Sequence, residues 1–174
     1  MKALVDVGEK IYQSPMLYRA DMAKKGKSIK KFAQIGFLRL DRATKDLTED
    51  QLDWKSCAEA NTIRRILTHL SQEIHVYMPG LLKGNLKYKP EGWPDDYVGN
   101  PAYSLEKIKS DLEKGKEKLL TTLAETSDEF LAEEMELFMG IKSRKFYVTF
   151  LVSEILHHEG QIAAILGLNK RMKD

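Results

Sequence analysis

The sequence predicts an all-α protein, a four-helix bundle with a long crossover loop between the second and third helices. Apolar residues recur at helical spacing over four long segments. The connection between the second and third segments is long and rich in Gly, Pro and Asn, which is typical of a loop that can cross a bundle. The 174 residues contain no repeat and no composition shift, so we expect one domain over residues 1–174.

The first two predicted helices span residues 28–45 and 61–82. Apolar residues of the second recur every three or four positions from Ile63 to Leu81, which indicates one buried stripe. Asn61 is the expected N-cap of this helix. On the first helix we expect an inward face made of Phe32, Ile35, Gly36, Leu38 and Leu40.

The last two predicted helices span residues 104–125 and 143–168. Just before the last one, the stretch EEMELFMGIKSR is expected to be extended and to turn at Gly140. Thr48 and Gln51 fit a capping box, which predicts a single helical turn between the first two long helices.

A short additional helix is also expected within residues 1–20, ended by Pro15.

Composition argues against several classes of partner. The net charge is only +2, from 28 basic and 26 acidic side chains, so neither nucleic acid nor an anionic membrane surface is an expected partner. No stretch reaches the about 18 uncharged apolar residues that a membrane span requires. The lone Cys57 cannot form an internal disulfide, and the first residues carry acids without a long apolar run. We therefore expect a cytoplasmic protein.

The last predicted helix carries two ionisable residues inside its apolar stripe. Glu154 and His158 are four residues apart, so they lie on one face of the helix, one turn from each other. Burying a carboxylate and an imidazole is costly unless they are paired or bind a metal ion. Gly160, in the interior of the same helix, predicts a close approach by another backbone.

The second predicted helix offers partners for this pair. His69 lies on the flank of its apolar stripe, and Glu73 lies one turn further along. Inward-pointing carboxylates and imidazoles from different helices build metal sites in bundles. Two imidazoles and one carboxylate leave coordination positions open, which suits catalytic Zn²⁺ or non-haem Fe²⁺ and is compatible with Ni²⁺ and Mn²⁺.

The alternative interpretation of these residues is structural. His69 and His158 could be core-edge histidines with hydrogen-bond partners, and Glu154 could pair with His158 or with an arginine. His75 and His157 point away from the apolar stripes and are not expected to be ligands, although His157 could hydrogen-bond one.

A second apolar strip lies on the far side of the last helix, which is typical of a central helix or of a dimer interface. Its residues are Val152, Leu156 and Ala163.

Two motifs resemble those of DinB-like proteins, the DinB/YfiT-like superfamily. LTEDQLDW, followed by NTIRRILTHLSQE, resembles their L-(S/T)-x-x-(E/Q)-L-x-W turn and the helix with a buried histidine that follows it. SEILHHEGQIAAILGL resembles their last helix, which often reads H-x-x-H-H-R-G-Q. The order of elements agrees over about residues 28–168.

The resemblance implies a bundle with a crossover, often a homodimer, and a divalent metal ion, commonly Zn²⁺ or Ni²⁺, held by three histidines. His69 matches the first of these ligands and His158 the last, while Glu154 replaces the middle histidine. Gly160 and Gln161 match the family, whereas Glu159 replaces its arginine. The implied metal ligands are therefore His69, Glu154 and His158.

The resemblance also implies classes of activity, because family members of known activity resemble thiol-dependent transferases or metal-dependent hydrolases. A metal-dependent enzyme acting on a small-molecule substrate is thus the first functional hypothesis. The second is a non-catalytic metal- or ligand-binding stress-response bundle protein that forms a homodimer. The third is a purely structural or interaction protein.

Overall fold

The computed structural model describes residues 24–172, and over this range the chain is mostly helical, as predicted. The expected short helix within residues 1–20 lies outside the described residues. A small antiparallel sheet pairs β1 (Glu134–Leu137) with β2 (Gly140–Ser143). The α-helices are α1 (Lys24–Ala43), α2 (Ile63–Gln72), α3 (Met78–Lys83), α4 (Leu105–Glu125), α5 (Asp128–Ala132) and α6 (Arg144–Arg171).

The second predicted helix is interrupted by a π-helical turn. Glu73–Tyr77 forms this turn, and it joins α2 directly to α3. The N-cap of α2 is Thr62, whose side chain accepts a hydrogen bond from the backbone N–H of Arg65. The prediction that Asn61 caps this helix is therefore wrong, because the helix begins one residue later than the Asn61 cap requires. π turns are rare and occur frequently at functional sites.

Two of the predicted local elements are confirmed. The backbone N–H of Thr48 donates to Oε1 of Gln51 at 3.0 Å, which completes the capping box of a single 3₁₀ turn at Glu49–Gln51. The extended excursion before the last helix is the β1–β2 hairpin. Its turn is formed by Phe138 and Met139, just before the predicted position, and Gly140, with φ of 79°, begins the second strand.

The central helix is α6, which packs against α1 on one side and against α2 and α3 on the other. Arg144, at the start of α6, donates to the carbonyl of Leu81 at 2.6 Å, so α6 begins where α3 ends and runs antiparallel to it. Arg39 of α1 pairs with Glu159 of α6, and Gly36 lies beside Ile155 one turn earlier in both helices. Helices α1 and α6 are therefore parallel.

Helices α2 and α4 run parallel to each other. Arg64, at the start of α2, donates to the carbonyl of Tyr103, just before α4 begins. Further along both segments, ten residues after Arg64 and twelve after Tyr103, Ile74 lies against Gly115. The segment 84–104 therefore returns along α2 to the end where that helix begins. The backbone N–H of Gly99 within it donates to Oγ1 of Thr68 at 2.8 Å.

The buried face of α1 differs from the predicted one. Ile35 and Leu38 are 55% and 50% exposed, so their predicted inward orientation is wrong. Helix α1 carries apolar residues on several sides. Their spacing alone therefore did not distinguish the row that is buried from the row that is exposed. The row that is buried consists of Ile29, Ala33, Phe37 and Leu40.

Close packing of another helix occurs at Gly36, where the contacts are to side chains, and not at Gly160. A Cβ atom on Gly36 would lie 3.1 Å from Cγ2 of Ile155, whereas one on Gly160 would meet nothing within 4 Å. The prediction for Gly160 is therefore wrong. Helix α1 accounts for part of the second apolar strip of α6, since Leu156 lies beside Gly36 and Val152 is buried, whereas Ala163 is exposed.

Within residues 24–172, no helix combines the length and the hydropathy that crossing a bilayer would require.

Two glycines provide a matched test of this packing. Gly115→Ala is expected to lower the free energy of unfolding by about 1–3 kcal/mol, because its Cβ would lie 2.7 Å from Cδ1 of Ile74 and 2.9 Å from Nε2 of His75. Gly160→Ala is expected to raise it by about 0.5–1 kcal/mol, since that position is helical and open. Urea denaturation of both variants measures the difference, and a stabilised Gly115→Ala would contradict the packing described.

Candidate metal centre

Three ionisable side chains meet where α2 and the π turn face α6. His69, Glu73 and His158 each offer one ligand atom, and these atoms all lie within 4.8 Å of one another. Nε2 of His69 is 3.5 Å from Oε1 of Glu73. The two imidazole rings meet edge to face, with centroids 5.2 Å apart. The antiparallel contact of two helices thus brings together side chains that are about 90 residues apart in sequence.

Glu154 flanks this cluster from the α6 side. Its Oε2 lies 3.9 Å from Nε2 of His158, which is too long for a hydrogen bond. Its side chain is partly exposed, whereas the side chain of Glu73 is buried. Two His/Glu pairs with i, i+4 spacing therefore converge, one on each helix.

The cluster contains two buried atoms that lack partners. Oε2 of Glu73 and Nε2 of His158 have no hydrogen-bond partner among residues 24–172. Burial, followed by the nearby negative charge of Glu154, raises the pKa of Glu73 to about 8. A buried carboxyl group beside a second one is destabilised unless positive charge is supplied. A divalent cation supplies that charge and would satisfy both atoms, so these residues fit a metal ion.

His158 is oriented for metal binding by Gln161. Nδ1 of His158 lies 2.9 Å from Oε1 of Gln161, and because an amide carbonyl only accepts, Nδ1 carries the proton. The lone pair of the imidazole is therefore on Nε2, the atom that faces the cluster. The Gln161 amide donates in turn to Nε2 of His157 at 3.0 Å. His157 is exposed, and although its ring lies 5.2 Å from that of His158, it is not part of the group of ligand atoms.

The environment of His69 favours its neutral form, which is the form that binds metal ions. Burial lowers its pKa, as do the neighbouring His158 and Arg65, while Glu154 acts in the opposite direction.

Two other ionisable residues, His75 and Glu159, lie outside the cluster. Nε2 of His75 donates to the carbonyl of Asp111 at 2.8 Å, and its ring stacks on Trp93. His75 is thus held between α4 and the segment 84–104, not on an outer face as predicted. Glu159 is buried and pairs with Arg39 at 2.9 Å, so it faces α1.

A cleft of about 260 Å³ adjoins the cluster and leads to solvent. It is bounded by α2, α6 and the segment 84–104, and Arg65 contributes an exposed cation to its wall. A small polar molecule can therefore reach His69 and His158. The lining residues are Asn61, Arg65, Ile66, His69, Val98, His158 and Gln161.

Comparison with known families decides the relationship, because the model of the DinB superfamily matches residues 38–162. The chain belongs to the DinB superfamily. The match contains both His/Glu pairs and Gln161, and proteins of this superfamily typically bind metal ions. No curated protein and no solved structure gives a significant match to this DinB chain.

The structure adds Glu73 to the residues predicted for this DinB site. Of the predicted ligands, His69 and His158 belong to the group of ligand atoms together with Glu73, whereas Glu154 lies beside it, with Oε2 3.9 Å from Nε2 of His158. That set stays a prediction. The i, i+4 spacing of His69 and Glu73 was visible in the sequence. The π turn that begins at Glu73 has no comparable sequence signal.

Replacing Glu73 tests whether its burial serves the fold. In metal-free protein at pH 7, Glu73→Gln is expected to leave the free energy of unfolding unchanged or to raise it by about 1 kcal/mol, because the carboxyl is buried without a described cation. The control is Asp53→Asn. The Arg64 guanidinium lowers the pKa of Asp53 by hydrogen bonding, so this change is expected to destabilise the protein. If Glu73→Gln lowers the free energy of unfolding more than Asp53→Asn does, the burial of Glu73 serves the fold, which would contradict a functional reason for it.

Proposed function

We propose that this DinB protein holds a divalent metal ion with His69, Glu73 and His158, with Glu154 beside them as a further carboxylate ligand. We further propose that it is an enzyme of the hydrolase or thiol-transferase type that acts on a small-molecule substrate. The observation that carries the proposal is the pair of buried, unpartnered atoms, Oε2 of Glu73 and Nε2 of His158, within one group of ligand atoms.

The donor set limits the kind of ion. Imidazole and carboxylate ligands without a described thiolate suit Zn²⁺, Ni²⁺, Fe²⁺ or Mn²⁺. A carboxylate in place of the middle histidine of the family shifts the preference of the site toward the harder ions of this group. Zn²⁺ and Ni²⁺ remain the ions implied by the family.

Each residue of the site has a separate task in the proposed chemistry. When bound, the metal ion supplies a Lewis acid that can activate a water molecule or a thiol at neutral pH. Gln161 keeps the proton of His158 on Nδ1, which leaves the lone pair of Nε2 for the metal ion, and the carboxylate of Glu154 lies beside that atom as a further ligand. Ile66 and Val98 give the cleft apolar contact surface beside its polar residues. Arg65 can bind an anionic group of the substrate.

We also propose that the four long helical units form the four-helix bundle with a crossover. The parallel direction of α2 and α4, and the return of the segment 84–104 along α2, support it. The homodimer and the cytoplasmic location stay predictions from the sequence.

Metal binding is tested by titrating metal-depleted protein made without a histidine tag. We expect one equivalent of Zn²⁺ or Ni²⁺ to bind, and the free energy of unfolding to rise by about 2.7 kcal/mol at a free ion concentration of 100 Kd. Glu73→Ala and His158→Ala should lose the bound ion. His157→Ala should retain it, because His157 lies outside the group of ligand atoms.

Binding of less than about a tenth of an equivalent of any transition metal after loading would exclude the metal site. Equal loss of the ion in His157→Ala and His158→Ala would show that the assigned geometry is wrong.

Catalysis is tested by screening thiol-transfer and hydrolase substrates with the metal-loaded protein. We expect turnover that disappears in Glu154→Ala, because this variant removes one of the proposed carboxylate ligands of the metal ion. Stable metal binding with no turnover in any substrate class would instead support a non-catalytic binding protein.

A further inference from the structure

An apolar cavity of about 310 Å³ lies outside the cluster and its polar cleft. Its floor is formed by Leu81 and Leu151, which are 4% and 8% exposed. Its rim is formed by large apolar side chains that remain open to solvent, among them Leu86 at 57% and Phe138 at 70%. The complete lining is Tyr77, Leu81, Leu86, Leu137, Phe138 and Leu151.

The cavity lies further along the groove in which α2, the π turn and α3 face α6, although the cavity and the polar cleft share no lining residue. Tyr77 follows Glu73 by four residues at the other end of the π turn, and Leu151 precedes Glu154 by three residues on α6. Both steps are about one helical turn and lead in the same direction, since the two helices are antiparallel. The groove is therefore polar at Arg65, ionisable at the cluster and apolar beyond it.

The β1–β2 hairpin builds the outer wall of this cavity. Leu137 ends β1, and Phe138 follows it in the two-residue turn of the hairpin. Although Phe138 is mostly exposed, its ring contacts those of Tyr147 and Phe150, each with centroids 5.6 Å apart. An exposed aromatic ring that is held in place at the edge of a cleft indicates a binding surface.

The lining determines the chemistry of the occupant. Its one polar side-chain atom is the hydroxyl of Tyr77, which already accepts a hydrogen bond from the Gln72 amide at 3.0 Å. A charged or strongly polar group placed here would lose its hydration without compensation. The volume is about twice that of the roughly 150 Å³ cavity that accommodates benzene in another protein. A short alkyl chain or a single aromatic ring therefore fits.

We propose that this cavity binds the apolar tail of a substrate whose reactive polar group lies at the metal centre. This inference rests on the proposed function, and it defines the substrate class as a small amphipathic molecule. Its polar group faces the cluster, and its apolar end occupies the cavity between the hairpin, α3 and α6.

A series of n-alkyl hydroxamates, from acetohydroxamate to octanohydroxamate, tests the proposal on Zn²⁺-loaded protein. Hydroxamates bind through the metal ion, so the alkyl chain reports on the neighbouring surface. Calorimetric Kd values are expected to fall about three- to fourfold for each added methylene until the cavity is filled.

Two exposed residues of the hairpin give a matched pair of variants. Phe138→Ser removes one wall of the cavity, whereas Ile141→Ser removes a side chain that is 62% exposed and does not line it. We expect Phe138→Ser to weaken octanohydroxamate binding at least tenfold and to leave acetohydroxamate binding unchanged. Ile141→Ser should retain the full dependence on chain length.

The outcomes separate this inference from the proposed function. Acetohydroxamate binding with no chain-length dependence would overturn the apolar subsite and leave the metal site intact. Absence of Zn²⁺ and of all hydroxamate binding would overturn both. If Kd does not depend on chain length and Phe138→Ser also converts a dimer into a monomer, the apolar subsite would be overturned. The cavity would then be assigned to contact with a second copy of the chain.

Discussion

The contact between α2 and α6 buries Glu73 and His158 against each other and leaves one atom of each without a described partner. Most buried polar atoms in proteins are hydrogen-bonded, and each exception requires an explanation. Here the two exceptions lie in one group of ligand atoms together with His69. A single divalent cation accounts for both, whereas the structural interpretation of these side chains leaves them unexplained.

The surrounding helices hold this contact in place. Gly36 lets α1 approach α6 closely at Ile155, and Gly115 lets α4 approach the π turn at Ile74 and His75. The π turn also joins the two parts of the groove, because Glu73 begins it and Tyr77 ends it. Packing across the whole molecule therefore determines where the ionisable and the apolar parts of the groove lie.

Much of this architecture could be predicted from the sequence, because long helices follow from periodic burial. The 3₁₀ turn and the hairpin also followed from local patterns, a capping box at Thr48 and a glycine at position 140. The buried face of α1 could not be predicted, since its apolar residues fit more than one row. Asn61 and Thr62 are both good N-caps, and only the start of the hydrogen-bonded helix distinguishes them.

The site was predicted less completely than the fold, for physical reasons. His69, Glu154 and His158 stood out because ionisable residues interrupted or flanked apolar stripes. Glu73 had the right spacing from His69, but its burial depends on the π turn and on α4, which are tertiary features. The hydrogen bonds of Gln161 to His158 and His157 depend on side-chain conformations that spacing does not determine.

The most direct measurement is anomalous diffraction from a crystal of the untagged protein, collected at the Zn, Ni, Fe and Mn absorption edges. The account predicts one strong anomalous peak between α2 and α6, adjacent to Nε2 of His158 and to the Glu73 carboxylate. A crystal grown with added metal that shows no peak at this position, while Glu73 and His158 hydrogen-bond to water or protein, would contradict it.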